Sequence, residues 1–165
     1  MSAWRNHALS PALLMALIRT VSAYQADIIS ASTARGLMQL LPATAARVAL
    51  ALDEEIPGPL ALFGPDLNIR YGAWYLAALA EGFGHEALAL AGYNGGPYNI
   101  KSLISAKPGM PLDVFIESLT SEETVNYVKR VIENRYIYEM AYLGRAVRPD
   151  LTGPLPPPQP SLPDF

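Results

Sequence analysis

Cysteine is absent from all 165 residues, which removes disulfides, thiol nucleophiles and thiolate metal sites but leaves the redox compartment open. Histidine occurs only at His7 and His85, in no ligand-like spacing, so no metal centre and no cofactor are expected. Charge is sparse as well. Twelve basic residues against fifteen acidic ones give a formal charge of −3, and no Lys/Arg block breaks the chain, so the electrostatic footprint of a nucleic-acid binder is missing. No apolar run approaches the roughly 20 residues that cross a bilayer, and the chain is not expected to span a membrane. What the chain does have is apolar surface: at 51% hydrophobic it can bury one sizeable core in one globular domain.

Arg5 and His7 ahead of "ALSPALLMALI" and "VSAYQA" have the parts of a secretory signal. Pro11 at a helix-start position and Arg19 directly after the apolar run favour a folded helix instead. Leu13, Leu14, Leu17, Ile18 and Val21 recur at helical spacing after Ser10. From Ser22 to Arg35 the periodicity fails and a loop is expected. "GLMQLLPATAARVALAL" resumes as turn and helix, and the proline-punctuated "DEEIPGPLALFGPD" reads as a connection.

Further helices fit "LNIRYGAWYLAALAEGF", "HEALALAGYN", "YNIKSLIS" after Pro97, and a short "PLDVFIESL". The last long one, "TSEETVNYVKRVIENRYIYEMAYLG", places Val125, Val128, Ile132, Tyr136 and Met140 on one face and closes at Gly144. Thr120 with Glu123 three residues on has the pattern of a capping box. Seven of the seventeen residues from Pro149 to Phe165 are proline, so this tail is expected to be extended or disordered, or draped on the domain. The fold class is all-α, with a domain over 1–148 and a proline-rich tail over 149–165.

Residue chemistry alone offers few candidates. Tyr93 and Asn94 in "AGYNGGP" stand at a helix end, where ring and amide can face a cleft or, equally, half-bury and cap. Gln39 in "ARGLMQLLP" is a lone amide able to bond a ligand or a buried backbone group. Glu123 reads first as a cap and Tyr127 as core.

Taken together, "LLMALIRTVSAYQADIIS", "ARGLMQLLPATA", "LFGPDLNIRYGAWYLAALAEGF", "ALAGYNGGP" and "FIESLTSEETVNYVKRV" resemble, in order and spacing, the catalytic domain of soluble lytic transglycosylases, which has a goose-type-lysozyme-like fold. The likeness covers about residues 11 to 140. It implies peptidoglycan glycan strands as partner, a periplasmic or wall-facing location, and substrate contacts from Ser22, Met38, Gln39, Tyr93, Asn94, Glu123 and Tyr127. Enzymes of this family cut the bond between N-acetylmuramic acid and N-acetylglucosamine with one glutamic acid. That residue protonates the leaving oxygen and then deprotonates the muramic C6 hydroxyl, which closes to a 1,6-anhydro product without the usual second carboxylate.

Where the family reads Glu-Ser, this chain reads Val21-Ser22. Valine can neither give nor take a proton, and general acid–base participation is typically worth ~10²–10⁴ in rate. The expectation is therefore a glycan-binding domain that is inactive or severely impaired. Two alternatives stand beside it: an active enzyme with its acid relocated to Glu123 or Asp27, and a protein-interaction module whose tail docks on a partner such as another cell-wall protein. Thr20 where glutamine is common, Thr33 where glycine is usual and Gly92 where alanine is usual are further departures. Thr33 is the first suspect for a distorted groove, because a β-branched residue resists backbone settings that glycine allows.

Overall fold

A computed structural model describes residues 9–157. Arg5 and His7 of the signal-like segment and residues 158–165 of the tail lie outside the described residues. Seven α-helices follow in order: α1 (Pro11–Ser22), α2 (Pro42–Ala51), α3 (Pro65–Phe83), α4 (Glu86–Gly95), α5 (Pro97–Ala106), α6 (Leu112–Glu117) and α7 (Glu122–Leu143). A short 3-10 helix over Pro59–Phe63 interrupts the connection before α3. Among the described residues β pairing is confined to isolated bridges, so the class is all-α as expected. None of the described helices is long and apolar enough to cross a membrane.

Proline and glycine set many of the helix ends. Pro11, Pro42, Pro65 and Pro97 each stand in a first turn, where a missing N–H costs nothing. Gly84 (φ 68°) and Gly144 (φ 64°) close α3 and α7 in the left-handed setting that glycine adopts without strain. Ser10 caps α1 by accepting from the Leu13 N–H at 3.1 Å.

The core is organised around α4, where every residue from Ala87 to Gly92 is buried, as befits a helix apolar all round. It packs on α3, α5 and α7, and α1 runs against α7. Leu13, Ala16 and Leu17 of α1 face inward, whereas Leu14 and Val21 are only half-buried. Gly92 sits against Phe83: a Cβ there would meet the ring at 2.6 Å.

Two expectations for α7 need correction. The cap is Ser121, whose hydroxyl accepts from the Thr124 N–H at 3.2 Å, so Thr120 and Glu123 form no capping box. The apolar face holds only at its start. Val125 and Val128 are buried, but Tyr136 and Met140 are exposed, because α7 at 22 residues outruns the 12-residue α1 and 10-residue α4 it packs on. In that second half the buried side chain is Glu139, paired with Arg135 and accepting from the Val147 N–H at 3.1 Å. Burial works to raise the Glu139 pKa, but these bonds prevail and hold it below the ordinary range.

The boundary at residue 148 falls within a chain segment that returns to the domain. Leu112 N–H donates to Gly153 O (3.0 Å), Asp113 N–H to Leu151 O (2.9 Å) and Leu155 N–H to Met110 O (2.9 Å), while Leu155 is buried in the core. The described part of the tail is therefore a strap, because extended proline-rich backbone still offers carbonyls and a few N–H groups to the segment that leads into α6.

Candidate functional site

The segment between α1 and α2 makes one side of a cleft, and the start of α7 makes the other. Ser30 organises the outer turn: its carbonyl accepts from Thr33 N–H (2.9 Å) and its hydroxyl from Ala34 N–H (3.1 Å). Thr33 within that turn has φ 67°, so the left-handed setting anticipated for a family glycine is here occupied by a β-branched residue. Gly36 (φ 76°) is close-packed as well as left-handed, since a Cβ would lie 2.3 Å from Leu62 O and 2.5 Å from Asn68 Nδ2.

Asn68, fully buried on α3, holds this segment from below. Its Oδ1 accepts from Met38 N–H at 2.7 Å, and its Nδ2 donates to Arg35 O and Leu62 O, each at 2.8 Å. Sequence reasoning missed this residue, because an Asn in a helical pattern gives no sign of partners thirty residues away.

The cleft has a volume of about 510 Å³, and Val21, Gln39, Tyr93, Asn94, Glu123 and Tyr127 all line it. A second groove of about 290 Å³ continues past Tyr93 and Asn94 toward Thr44, Tyr75 and Pro97. Val21 is half-buried in the wall, so residue 21 faces the cleft while packing on the core. Gln39 Nε2 donates to Gly36 O at 2.9 Å and Ile28 O at 3.3 Å, leaving its carbonyl oxygen without a partner among the described residues.

Tyr93 donates to Met38 O at 2.9 Å, and its ring lies 5.2 Å from that of Tyr75. Burial raises its pKa, which keeps the hydroxyl protonated. Asn94 is no helix cap. It lies in the last turn of α4, accepts from Thr124 Oγ1 at 2.8 Å and donates to Glu123 Oε1 at 3.4 Å, joining α4 to α7. Tyr127 lines the cleft with its hydroxyl buried and unpartnered, and burial raises its pKa well above the usual value.

Three predicted residues stand elsewhere. Ser22 is buried beneath the wall, its hydroxyl within reach of Ile18 O (2.9 Å) and Leu37 O (2.8 Å), because it is the last residue of α1 and bonds back to the helix and across to the loop. Met38 is wholly buried and its side chain presses on Gly72, so only its backbone serves the site. Asp27 is exposed in the loop and does not line the cleft. Glu123 is accordingly the single carboxylate among the lining residues.

Asn126 and Arg130 also line the cleft and were not anticipated. A signal existed. Glu123, Asn126, Tyr127 and Arg130 fall at i, i+3, i+4 and i+7, a polar stripe along one face of a helix.

Residues 2–111 match the family model described as the transglycosylase SLT domain. The chain is 34% identical over 131 residues to the soluble lytic murein transglycosylase of Salmonella typhimurium, covering 78% of this chain and 20% of that protein. It is 34% identical over 123 residues to the Escherichia coli K12 protein of the same name, covering 72% of this chain and 19% of the other. It thus spans about a fifth of the length of these relatives. Among solved structures, an inactive glutamate-to-glutamine mutant of the lytic transglycosylase Slt from Pseudomonas aeruginosa superposes with a TM-score of 0.80 at 33% identity, covering 88% of this chain and 24% of that one. The 70 kDa soluble lytic transglycosylase of Escherichia coli gives 0.79 at 28% identity, over 90% of this chain and 24% of the other. Fold and sequence agree, and the chain belongs to the transglycosylase SLT-domain family.

Proposed function

We propose that this chain is a peptidoglycan-binding domain in which the lytic transglycosylase reaction is lost or severely impaired, because position 21 carries no proton donor. The observation that supports this most is the composition of the cleft wall: Val21 faces it, and Glu123 is the one carboxylate lining it. A general acid needs a carboxyl group poised at the glycosidic oxygen, and a loss of ~10²–10⁴ or more follows when one group performs both proton transfers. The inactivity of the Pseudomonas relative's glutamate-to-glutamine mutant shows how much that protein relies on one carboxyl group. Gln39 and Asn94 supply amides to the groove and Tyr93 lines it, while Ser22 and Met38 fix its shape from behind. The proposed ligand is the glycan strand of peptidoglycan, in the periplasm or facing the wall.

A pull-down on purified sacculi tests the binding half: the parent protein is expected in the pellet, and Gln39→Ala or Tyr93→Ala to reduce it. Incubation with sacculi tests the catalytic half. The parent is expected to yield no 1,6-anhydro-muropeptides, and Val21→Glu to yield them. Absence of the parent from the pellet removes the reading.

A second reading, an active enzyme with a relocated acid, draws on Glu123, which lines the cleft and has no capping duty. Anhydro products from the parent that vanish in Glu123→Gln would install it. Asp27, outside the cleft lining, lends it no support. A third reading, a protein-interaction module using the tail, has less to draw on, since Leu151 to Leu155 already bind the domain itself.

A further inference from the structure

The α7 side of the cleft holds hydrogen-bond donors with nothing to bond. Arg130 is exposed, lines the cleft, and makes no ion pair or hydrogen bond with any described residue. Tyr127, one turn earlier, is only 6% exposed, yet its hydroxyl is unpartnered. A buried O–H without an acceptor costs free energy in the unliganded protein, so a ligand that supplies the acceptor recovers it. Glu123 does not supply it, being engaged by Asn94 and lying about 10 Å further along the helix from Arg130 at 1.5 Å per residue. The hydrocarbon of Val21, on α1, lines the same cleft and offers these donors no competing anion.

An acceptor-only group with two oxygens uses both donors at once. A carboxylate is such a group, and the guanidinium fork matches it in plane and spacing. A neutral acetamido sugar would satisfy Tyr127 and leave Arg130 in water. A phosphate dianion would feel Glu123 more strongly than a monoanion does.

We propose that the Arg130 end of the cleft binds a carboxylate on an apolar stem, with Arg130 as its ion-pair partner, the Tyr127 hydroxyl as second donor, and Val21 as the surface on which the stem packs. This rests on the peptidoglycan reading above. Two groups there have that chemistry: the free lactyl carboxylate of muramic acid without its peptide, and the carboxylates of the stem peptide.

Titration of the full chain with three fluorescent oligosaccharides of equal length separates them: a chitooligosaccharide, a peptide-free muramic-acid glycan, and the same glycan with stem peptides. At least one carboxylate-bearing ligand is expected to bind about 3- to 10-fold more tightly than the chitooligosaccharide at low salt. Preference for the second identifies the lactyl group, and preference confined to the third identifies the peptide. Arg130→Gln is expected to erase the preference, while Lys129→Gln, with the same charge change one residue away, keeps it. Tyr127→Phe is expected to weaken the preferred ligand while raising the melting temperature of the free protein by a few degrees, a split that loss of a hydroxyl hydrogen-bonded within the fold would not produce. Equal affinity for all three ligands, or a preference that survives Arg130→Gln, overturns this inference alone. No binding to any ligand or to sacculi overturns the peptidoglycan reading with it.

Discussion

Thr33 holds a backbone setting at φ 67° that its side chain opposes. For an L-residue the left-handed region costs roughly 1–2 kcal/mol, and glycine returns ~0.5–1 kcal/mol of any relief through its freer unfolded chain. Thr33→Gly is therefore expected to stabilise the protein by about 1 kcal/mol, measured as a higher midpoint in denaturant. The site has a further interest, because its turn carries Ser30 and Ser32, both of which line the cleft. Strain at this turn that reaches the cleft edge would make Val21→Glu/Thr33→Gly a better catalyst than Val21→Glu alone. Single residues also mark where sequence reading stopped. Nothing in the one-dimensional pattern says that the Tyr127 hydroxyl finds no partner, because orphanhood belongs to everything packed around an atom.

Polar side chains tie elements to one another at several points in addition to the apolar core. The clearest tie is Asn68, which joins α3 to the loop ahead of α2 and to the 3-10 helix with three hydrogen bonds from one fully buried amide. Asn68→Ala leaves one N–H and two carbonyls without that partner, at ~1–3 kcal/mol for each group that stays buried. A loss of about 3 kcal/mol or more is expected in thermal or denaturant unfolding. Glycan binding should fall further than a matched core variant such as Leu79→Ala, because the loop that carries Gln39 is released. The helices on either side of this tie were legible in advance: prolines at their starts and glycines at their ends are local devices that each helix carries in its own sequence. The loop was not, since its path depends on partners on α3. The cap of α7 was misplaced by one residue for a simpler reason. Thr120 and Ser121 can both serve, and only the backbone direction decides between them.

At the scale of the whole molecule, acid sensitivity should reflect a tie on the outer face. Glu54, in the connection after α2, receives Arg70 at 2.5 and 2.8 Å and the Tyr71 hydroxyl at 2.8 Å, which together lower its pKa to about 2 from an ordinary value near 4.5. A depressed folded-state pKa contributes stability that is present above the unfolded value and lost as pH falls through the folded one. The melting-temperature gap between the parent and Glu54→Gln is thus expected to be largest above about pH 4.5 and to close toward pH 2, as read by scanning calorimetry. The all-α class and the cleft position of residue 21 were both within reach of the sequence, the first through helix punctuation and the second through the family resemblance. The division of labour inside the cleft was not, because Ser22 and Met38 face the core while Asn126 and Arg130 face the groove.

The contact between Gly92 and Phe83 limits how substitutions in this interior can be combined. An aromatic ring occupies the space that a methyl group at 92 would need, so the two positions change safely only in one sequence. A methyl group at 92 would need the Phe83 ring to shift or to be replaced by a smaller side chain, so Gly92→Ala alone is expected to overfill this part of the interior. Val21, on the half-buried cleft wall, is not among the atoms that crowd Gly92, so Val21→Glu leaves this tight contact untouched.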